Sequence, residues 1–307
     1  MKIAFLNKYQ EKVSRGAETY VAEISKRLSI NHKVDIISDI NFFKIIKANY
    51  DLIIPTNGRE QVFITRLVTW LTGAKMIVSG QSGIGLDDRL NLFSFPNTFI
   101  ALSTRAFDWA KKINPFTKSI YIPNGVDLSK FTKNKENKFE KTKVILSVGA
   151  FTDQKRHDLV INAVSKLKNV KLIIAGGGGD LKQEINALGT RLLGNRFEIM
   201  QTTNDKMPEI YQKTDVFTLA SKPSESFGIV LVEAMASGLP VVASDDPIRR
   251  EIVGDAGLFV DPTNADEYAK AIEKALNIDW GSKPRKQAEK FSWDIIARKY
   301  EELFKNI

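Results

Sequence analysis

Two glutamates, Glu225 and Glu233, lie on either side of a Phe-Gly step in the stretch SESFGIVLVEAMASG, residues 224–238. Gly228 precedes an apolar run that has the length of a short helix and ends at Gly238. The first N–H groups of a helix have no partner within it and carry partial positive charge, which suits a phosphate or diphosphate. A glycine at that position lets the backbone approach the ligand closely.

The two carboxylates predict a second type of contact. A carboxylate in the loop before the helix would repel a phosphate, so we expect Glu225 to accept hydrogen bonds from neutral hydroxyl groups. Glu233 lies on the second turn of the predicted helix, on a face that must reach the same site. Two sugar-like rings flanking a diphosphate would satisfy this arrangement, with one carboxylate for each ring. The alternative is a helix-capping acid together with a buried glutamate whose hydrogen bonds are satisfied within the protein.

Two more loops follow predicted strands and carry residues that suit phosphate or nucleotide binding. Lys155 follows the strand that ends at Gly149, and its ammonium group could neutralise a diphosphate as a point charge. The four consecutive glycines of AGGGGD, among them Gly176 and Gly177, permit close approach of a planar base or a phosphate. A solvated surface lysine and a tight turn are the alternative interpretations of these two features.

The elements that must position these residues alternate between strand and helix along the chain. Short apolar strands without polar alternation are typical of parallel sheets that are buried on both faces. We therefore predict an α/β fold with two Rossmann-like, doubly wound domains facing across a cleft, and ligands beyond the carboxyl ends of the strands. The predicted strands are residues 2–6, 33–38, 51–55, 75–79, 98–102, 119–123, 143–149, 170–176, 196–200, 215–220, 240–244 and 257–261.

A polar segment rich in Lys and Asn, residues 127–143, separates the two series of strands and indicates a linker. We place the domain boundary inside this segment. The first domain is predicted to span residues 1–135 and the second residues 136–307. Two domains also agree with the length of 307 residues, because a single hydrophobic core stops growing near about 250 to 300 residues.

Positive charge is concentrated in the first half of the chain. Residues 1–140 hold 21 Lys and Arg against 13 Asp and Glu, whereas residues 141–307 hold 24 against 23. This asymmetry favours an anionic partner for the first domain, such as a membrane surface, and a solvated lysine-rich surface is the alternative. Nucleic acid is not expected as a partner, because no recognised nucleic-acid-binding motif accompanies the charge.

The composition excludes several kinds of site. The chain has no cysteine and only two histidines, which excludes disulfides, thiolate or histidine-rich metal sites and a cysteine nucleophile. No apolar run approaches the roughly 20 residues of a membrane span, and no signal peptide is recognisable. We therefore expect a cytoplasmic protein that is at most peripheral at the inner face of the membrane.

Together these motifs resemble glycosyltransferase family 4, the retaining nucleotide-sugar transferases with the GT-B fold. The pattern of that family is Glu, seven residues and Glu with Phe-Gly inside, as from Glu225 to Glu233. The likeness covers the second half of the chain almost continuously and the first half in patches. Further similar segments are YIPNGVDLSKF (121–131), SVGAFTDQKRHDLVINAV (147–164), MPEIYQKTDVFTLAS (207–221), AGLFVDPTNADEYAKAI (256–272) and FSWDIIARKYEELF (291–304).

The resemblance implies transfer of a hexose-type sugar from a UDP or GDP sugar to an acceptor hydroxyl on a glycan or a lipid-linked molecule. The anomeric configuration would be kept, and neither a metal nor another cofactor would be required. Glu225 would bind the hydroxyls of the donor sugar and Glu233 the ribose, with Glu225 and Lys155 as the catalytic residues. The last helix, about residues 293–307, would cross back onto the first domain. The implied donor-binding residues are Gly16, Gly149, Lys155, Arg156, Gly176, Gly177, Glu225, Ser226, Phe227, Gly228, Ile229 and Glu233.

The chain also departs from the family pattern. The arginine that the family places five residues before Lys155 is replaced by Ala150, and Arg156 is the nearest substitute although its side chain should point elsewhere. Many relatives carry a histidine where this chain has Gln81, which we place on the acceptor side. Gly16 resembles the first glycine loop of the family, and an ordinary helix entry is the alternative. Two other functions stay open: a non-catalytic nucleotide-sugar-binding subunit, and a GT-B enzyme of another class, such as a sugar-nucleotide epimerase or a phosphorylase.

Overall fold

The computed structural model describes residues 1–10, 12, 16–133 and 142–307. The chain divides into two compact units, one made of residues 1–125 with 291–307 and one made of residues 126–290. The domain boundary predicted between residues 135 and 136 lies outside the described residues.

The first unit contains a parallel sheet. Its strands are β1 (Lys2–Leu6), β2 (Lys33–Ile37), β3 (Leu52–Pro55), β4 (Lys75–Ser79), β5 (Thr98–Ala101) and β6 (Ser119–Tyr121). The helices between these strands are α1 (Gly16–Leu28), α2 (Phe42–Ala48), α3 (Arg59–Thr72), α4 (Leu86–Leu92) and α5 (Thr104–Ile113). Within the described residues, the six strands pair in the order β2-β1-β3-β4-β5-β6.

The second unit contains another parallel sheet. Its strands are β7 (Lys143–Val148), β8 (Val170–Ala175), β9 (Phe197–Met200), β10 (Val216–Leu219), β11 (Val241–Ser244) and β12 (Gly257–Val260). Its helices are α6 (His157–Ser165), α7 (Lys182–Leu193), α8 (Met207–Gln212), α9 (Ile229–Ala236), α10 (Pro247–Val253), α11 (Ala265–Asn277) and α12 (Lys283–Glu289). In this part of the chain the six strands pair in the order β12-β11-β10-β7-β8-β9.

Each sheet reverses its direction of growth once. In the first unit the chain leaves β1 toward β2 and later adds β3 on the other side of β1. In the second unit it leaves β7 toward β8 and later adds β10 on the other side of β7. The predicted doubly wound α/β fold is thereby confirmed, and the ends of the predicted strands agree with the observed ends within two residues. Ligands of such sheets bind beyond the carboxyl ends of the two strands at the reversal, which here are β7 and β10 in the second unit.

The strands are apolar because helices cover the sheets. Strands that are buried at every position include β3, β5, β10 and β11. Successive side chains of a strand point to opposite faces, so burial at every position requires cover on both faces. In the second unit, Ile145 and Val242 from two strands pack in one core cluster with Val160 of α6 and Tyr268 of α11.

The first residues of the expected linker pack on the second unit. Phe131 is buried, and its ring centroid lies 5.7 Å from that of Tyr211. The guanidinium group of Arg285 donates to the carbonyl oxygens of Leu128 at 2.9 Å and of Phe131 at 2.6 Å. Residues 134–141 of the expected linker lie outside the described residues.

The last helix, α13 (Trp293–Phe304), packs on α1 of the first unit. The buried hydroxyl groups of Tyr20 and Tyr300 lie 2.8 Å apart, and Arg27 pairs with Asp294 at 2.6 Å. Trp293 is buried as well. No helix within the described ranges is both long and apolar enough to cross a lipid bilayer.

Candidate nucleotide-sugar site

Lys155 and Glu225 meet at the edge of the second sheet where its strand order reverses. Lys155 lies in the loop after β7, and Glu225 lies in residues 220–228 after β10, which we call the β10 loop. Since β7 and β10 are parallel neighbours, their carboxyl ends bring both loops to the same edge. Lys155 Nζ lies 2.5 Å from Glu225 Oε2, and the two side chains are only 18% and 13% exposed. A cation and a carboxylate are therefore brought together where a ligand of this fold binds.

Two guanidinium groups fix the β10 loop. Arg156 donates from Nε to the carbonyl oxygen of Ala220 at 2.7 Å and from Nη2 to that of Ser221 at 3.2 Å. Its backbone has the left-handed φ of 47° at the residue just before α6 begins. In this structure the guanidinium group of Arg156 is thus bonded to protein carbonyls, and its predicted place among the donor-binding residues stays a prediction.

The second guanidinium group belongs to Arg249, on α10, and sequence reasoning missed it. Arg249 is fully buried and donates to Ser221 Oγ at 2.8 Å, to the carbonyl oxygen of Lys222 at 3.1 Å and to that of Glu225 at 3.3 Å. Asp246 Oδ1 lies 3.3 Å from Arg249 Nη1, and burial lowers the pKa of Arg249. Arg249 therefore sets the backbone position of Glu225 through direct contact.

The glycines of the second sheet edge have different physical roles. A Cβ atom on Gly176 would lie 2.0 Å from the carbonyl oxygen of Gly149, so Gly176 is required where the loops after β7 and β8 pack together. A Cβ atom on Gly149 would lie 3.0 Å from the aliphatic chain of Lys155, and its absence gives that side chain room. Nothing described lies within 4 Å of a Cβ atom on Gly177. Of these three glycines, Gly177 is the one with free space around it.

The β10 loop ends at the start of α9. Gly228 has the left-handed φ of 84° and begins the helix with no side-chain cap among the described residues. Phe227 is buried in the core and anchors this turn, while Ile229 is the first helical residue. Ser226 lies between Glu225 and Phe227 in the same turn. The N–H groups at the start of α9 thus follow Glu225 directly, an arrangement that suits an anion.

Glu233 is oriented by a tyrosine that sequence reasoning did not single out. The hydroxyl group of Tyr211, on α8, donates to Glu233 Oε2 at 2.9 Å. The Tyr211 ring is buried and packs at 6.0 Å from Phe217 of β10. Burial raises the pKa of Glu233 to about 7, while the bond from Tyr211 and the charge of Lys130 act in the opposite direction. A signal was present in the sequence, since Tyr211 lies in the segment that resembles the family just before the glutamate motif.

His157 supports the loop after β7. It is buried, with Nδ1 at 3.3 Å from Ser147 Oγ and Nε2 at 3.4 Å from the carbonyl oxygen of Gly149. Burial lowers its pKa to about 4, so the ring is neutral near pH 7. Across the described ranges, no group of three or more His, Cys, Asp and Glu side chains is arranged to hold a metal ion.

Gly16 and Gln81 belong to the first unit, whereas the other predicted site residues belong to the second. Gly16 is the first residue of α1. Gln81 follows β4, and its amide exchanges two hydrogen bonds with the amide of Asn124, at 3.2 and 3.0 Å. Its nitrogen also bonds to Ser79 Oγ at 2.9 Å. Gln81 is therefore fixed in position by neighbours in its own unit.

Comparison with known families gives one match of substantial length. The model of the family described as glycosyl transferases group 1 matches residues 129–292, which is more than half of the chain. An uncharacterized glycosyltransferase of Methanocaldococcus jannaschii is 34% identical over 212 residues, covering 64% of this chain and 49% of that protein. The phosphatidyl-myo-inositol mannosyltransferase of Mycolicibacterium smegmatis is 27% identical, covering 68% and 57%. The chain spans about half the length of the curated relatives it matches.

Solved structures share the fold over the whole chain. The Anabaena protein HepE, in complex with UDP and glucose, has a TM-score of 0.87 at 20% identity and covers 100% of both chains. The sucrose-phosphate synthase of Thermosynechococcus elongatus has a TM-score of 0.82 at 18% identity, covering 99% of this chain and 98% of that one. These likenesses identify the architecture of two Rossmann-like units as GT-B.

Proposed function

The chain belongs to the glycosyl transferases group 1 family, and we propose that it transfers a hexose-type sugar from a nucleotide diphosphate donor to an acceptor hydroxyl. One observation carries this proposal: Lys155 and Glu225 form a mostly buried pair close to the start of α9, which no side chain caps in the part of the chain that the structure describes. Cation, carboxylate and helix start together supply the three types of contact that a sugar joined to a diphosphate requires.

In the proposed complex the diphosphate binds the N–H groups at the start of α9 and the ammonium group of Lys155. As Lys155 turns toward phosphate, its contact with Glu225 weakens, and Glu225 then accepts hydrogen bonds from the sugar hydroxyls. Glu233, oriented by Tyr211, binds the ribose. Arg156 and Arg249, which donate to carbonyl oxygens of the β10 loop, keep Glu225 at a fixed distance from the helix start. Catalysis then depends mainly on positioning and on stabilising charge on the departing diphosphate.

The proposed step is retaining, as in family 4. The bond from the anomeric carbon to the acceptor oxygen forms while its bond to the phosphate oxygen breaks, on the same face of the sugar. The proton of the acceptor hydroxyl moves to an oxygen of the leaving diphosphate. Lys155 supplies the positive charge that balances the leaving group, and we propose that no metal is required.

The donor and acceptor classes follow from several lines of support. HepE was solved with UDP and glucose, so uridine donors are the first to test, with guanosine donors as the alternative. The mycobacterial relative is named for a phosphatidyl-inositol acceptor, which supports a lipid-linked or glycan acceptor for this chain. We place Gly16 with the donor and Gln81 on the acceptor side. The excess positive charge of residues 1–140 supports peripheral contact with an anionic membrane, as found at the cytoplasmic leaflet.

The test combines binding and turnover. Isothermal titration with UDP, GDP and their sugars in the presence of EDTA identifies the donor, and release of nucleotide with a glycan or lipid acceptor measures transfer. Lys155→Ala should abolish transfer and weaken binding of the diphosphate. Lys166→Ala is the matched control, because Lys166 follows the opposite end of α6 and pairs only with the exposed Asp266 in the described structure. Transfer by Lys155→Ala at the rate of the unmodified chain would overturn the proposal.

The replacement of the family's arginine by Ala150 favours one competing function. A non-catalytic subunit would bind the donor in the same titration and release neither nucleotide nor sugar with any acceptor tested. An epimerase would convert the donor without an acceptor, and analysis of the recovered nucleotide sugar detects that product.

A further inference from the structure

Large apolar side chains are exposed on one face of α3 in the first unit. Phe63, Leu67, Trp70 and Leu71 are 41%, 56%, 64% and 76% exposed. Their spacing places them on a single face of the helix, because residues three, four and seven apart lie above one another. The opposite face of α3 is buried through residues such as Val62 and Val68. An exposed apolar face of this kind on a folded domain usually marks an interaction surface.

The apolar face continues beyond α3. Right-handed crossovers place α2, α3, α4 and α5 on the same face of the sheet, and neighbouring helices of this set contact one another. Each of α3, α4 and α5 ends near the amino edge of the sheet. Exposed aromatic side chains follow there: Phe93 and Phe95 after α4, and Phe116, 88% exposed, after α5. We call α3 with these three residues the α3 surface.

Positive charge surrounds the α3 surface. Residues 59–118 hold eight Lys and Arg against four Asp and Glu. Asp88, one of the four acids, is buried, and Asp87 pairs with Arg59. The guanidinium group of Arg66 stacks at 5.1 Å on the ring of Trp70. Exposed lysines, namely Lys75, Lys111, Lys112 and Lys118, lie at the same amino edge as the aromatic residues.

The side chains of the α3 surface favour one type of partner. Trp and Phe side chains next to Lys and Arg are suited to the boundary between lipid headgroups and acyl chains. Lysines near an anionic leaflet are attracted to it electrostatically. Two copies of the chain meeting through this surface would instead bring two positively charged surfaces together, which is unfavourable. Charge complementarity therefore favours an anionic bilayer over a second copy.

We propose that the α3 surface docks the first unit onto an anionic membrane through its apolar side chains and the lysines around them. This inference gives a location to the membrane contact that belongs to the proposed function. It depends on exposure and charge in the first unit alone. Binding to vesicles can be measured without donor or acceptor, so failure of membrane docking and failure of the transferase proposal are separate results.

The experiment is flotation of the full chain with phosphatidylcholine vesicles, with and without phosphatidylglycerol. We expect flotation only with the anionic vesicles, and less of it at high salt. Trp70→Ser with Leu71→Ser should reduce the floated fraction about tenfold, and Lys111→Glu with Lys112→Glu should do the same at low salt. The matched controls in the second unit are Ile278→Ser, at an apolar side chain 37% exposed, and Lys270→Glu with Lys274→Glu on α11.

Three results would overturn the proposal. The first is that the unmodified chain does not float with anionic vesicles at low salt. The second is that the second-unit control variants lose flotation as strongly as the α3-surface variants. Sedimentation could also show a dimer that Trp70→Ser with Leu71→Ser dissociates, which would identify the α3 surface as an interface between copies. An unchanged thermal unfolding temperature verifies that each variant is folded, and variants that fail this check are replaced by Leu67→Gln.

Discussion

The ammonium group of Lys155 lies 2.5 Å from the carboxylate of Glu225, although the two residues come from loops after different strands and are 70 positions apart. Their side chains are largely shielded from water, so each charge depends on the other for its stability. The pair also lies beside the start of α9, where a diphosphate would compete with Glu225 for the same ammonium group. The contact thus links the stability of this edge to the proposed binding of the donor.

A double-mutant cycle on this pair should show strong coupling. Lys155→Met leaves the Glu225 carboxylate shielded and unpaired, and we expect a loss of about 2 kcal/mol in the free energy of unfolding. The double variant with Glu225→Gln should recover much of that loss, because neither charge remains. The four proteins of the cycle are the unmodified chain, Lys155→Met, Glu225→Gln and the double variant. Urea unfolding measures the free energy of unfolding of each. Additive effects of the two substitutions would show that the pair does not interact.

Turnover should behave differently from stability in the same four proteins. Both single variants and the double variant should lose about 100-fold or more in kcat, because Lys155 is proposed to stabilise the leaving diphosphate and Glu225 to position the sugar. Recovery of stability without recovery of kcat would separate the structural contact from the catalytic roles. A double variant with nearly full activity would remove both residues from the proposed mechanism.

Arg249 should be required for the position of Glu225. Arg249→Gln removes donors from the carbonyl oxygens of Lys222 and Glu225, and we expect a loss of about 2 kcal/mol or more in the free energy of unfolding. Arg249→Lys should restore little, because an ammonium group cannot reproduce the planar fork that reaches four acceptors. Chemical unfolding measures stability, and titration with the donor sugar measures affinity.

The appropriate control for Arg249 is its neighbour on the same helix. Arg250 is exposed and pairs with Asp245 at 2.5 Å, so Arg250→Gln should change stability by less than about 1 kcal/mol. If Arg249→Lys retained both the stability and the donor affinity of the unmodified chain, the hydrogen bonds from the guanidinium group to the β10 loop would not be required to position Glu225.

Glu233 should make stability depend on pH in a defined window. Its pKa is raised from 4.5 to about 7, so the folded protein retains a proton that the unfolded chain has already released. As pH rises from 4.5 to about 7, this group therefore lowers the free energy of unfolding, by about 3 kcal/mol in total. Glu233→Gln should remove that slope.

The pH prediction also has a test at the neighbouring residue. Tyr211→Phe removes the hydroxyl that lowers the pKa of Glu233, so the window should extend to higher pH than in the unmodified chain. Urea unfolding at a series of pH values measures both variants. Asp88 is buried in the first unit, and its pKa is raised to about 7, so it also lowers the free energy of unfolding as pH rises through this window. Asp88→Asn measures how much of the pH dependence comes from Asp88. If the free energy of unfolding depended on pH in Glu233→Gln as it does in the unmodified chain, another group would be responsible for that dependence.

The sequence predicted the fold well because parallel strands covered on both faces are short apolar runs. β10 and β11 were found on that basis alone. Arg249 was missed for a physical reason: in PIRREIV it is indistinguishable from the exposed Arg250, and only the tertiary position of α10 buries it. Gly176 was noticed for its type, but its close packing on Gly149 depends on two loops that are distant in the sequence.

Gly176 and Gly177 form a matched pair that separates packing from ligand approach. A methyl group on Gly176 would lie 2.0 Å from the carbonyl oxygen of Gly149, so Gly176→Ala should cost about 3 kcal/mol by forcing the loops after β7 and β8 apart. A methyl group on Gly177 meets nothing described within 4 Å, so Gly177→Ala should leave stability within about 1 kcal/mol. If the nucleotide lies against this loop, Gly177→Ala should still weaken nucleotide binding in a calorimetric titration. Unchanged affinity in a stable Gly177→Ala protein would place the nucleotide away from this loop, and Gly176 would then be a purely structural glycine.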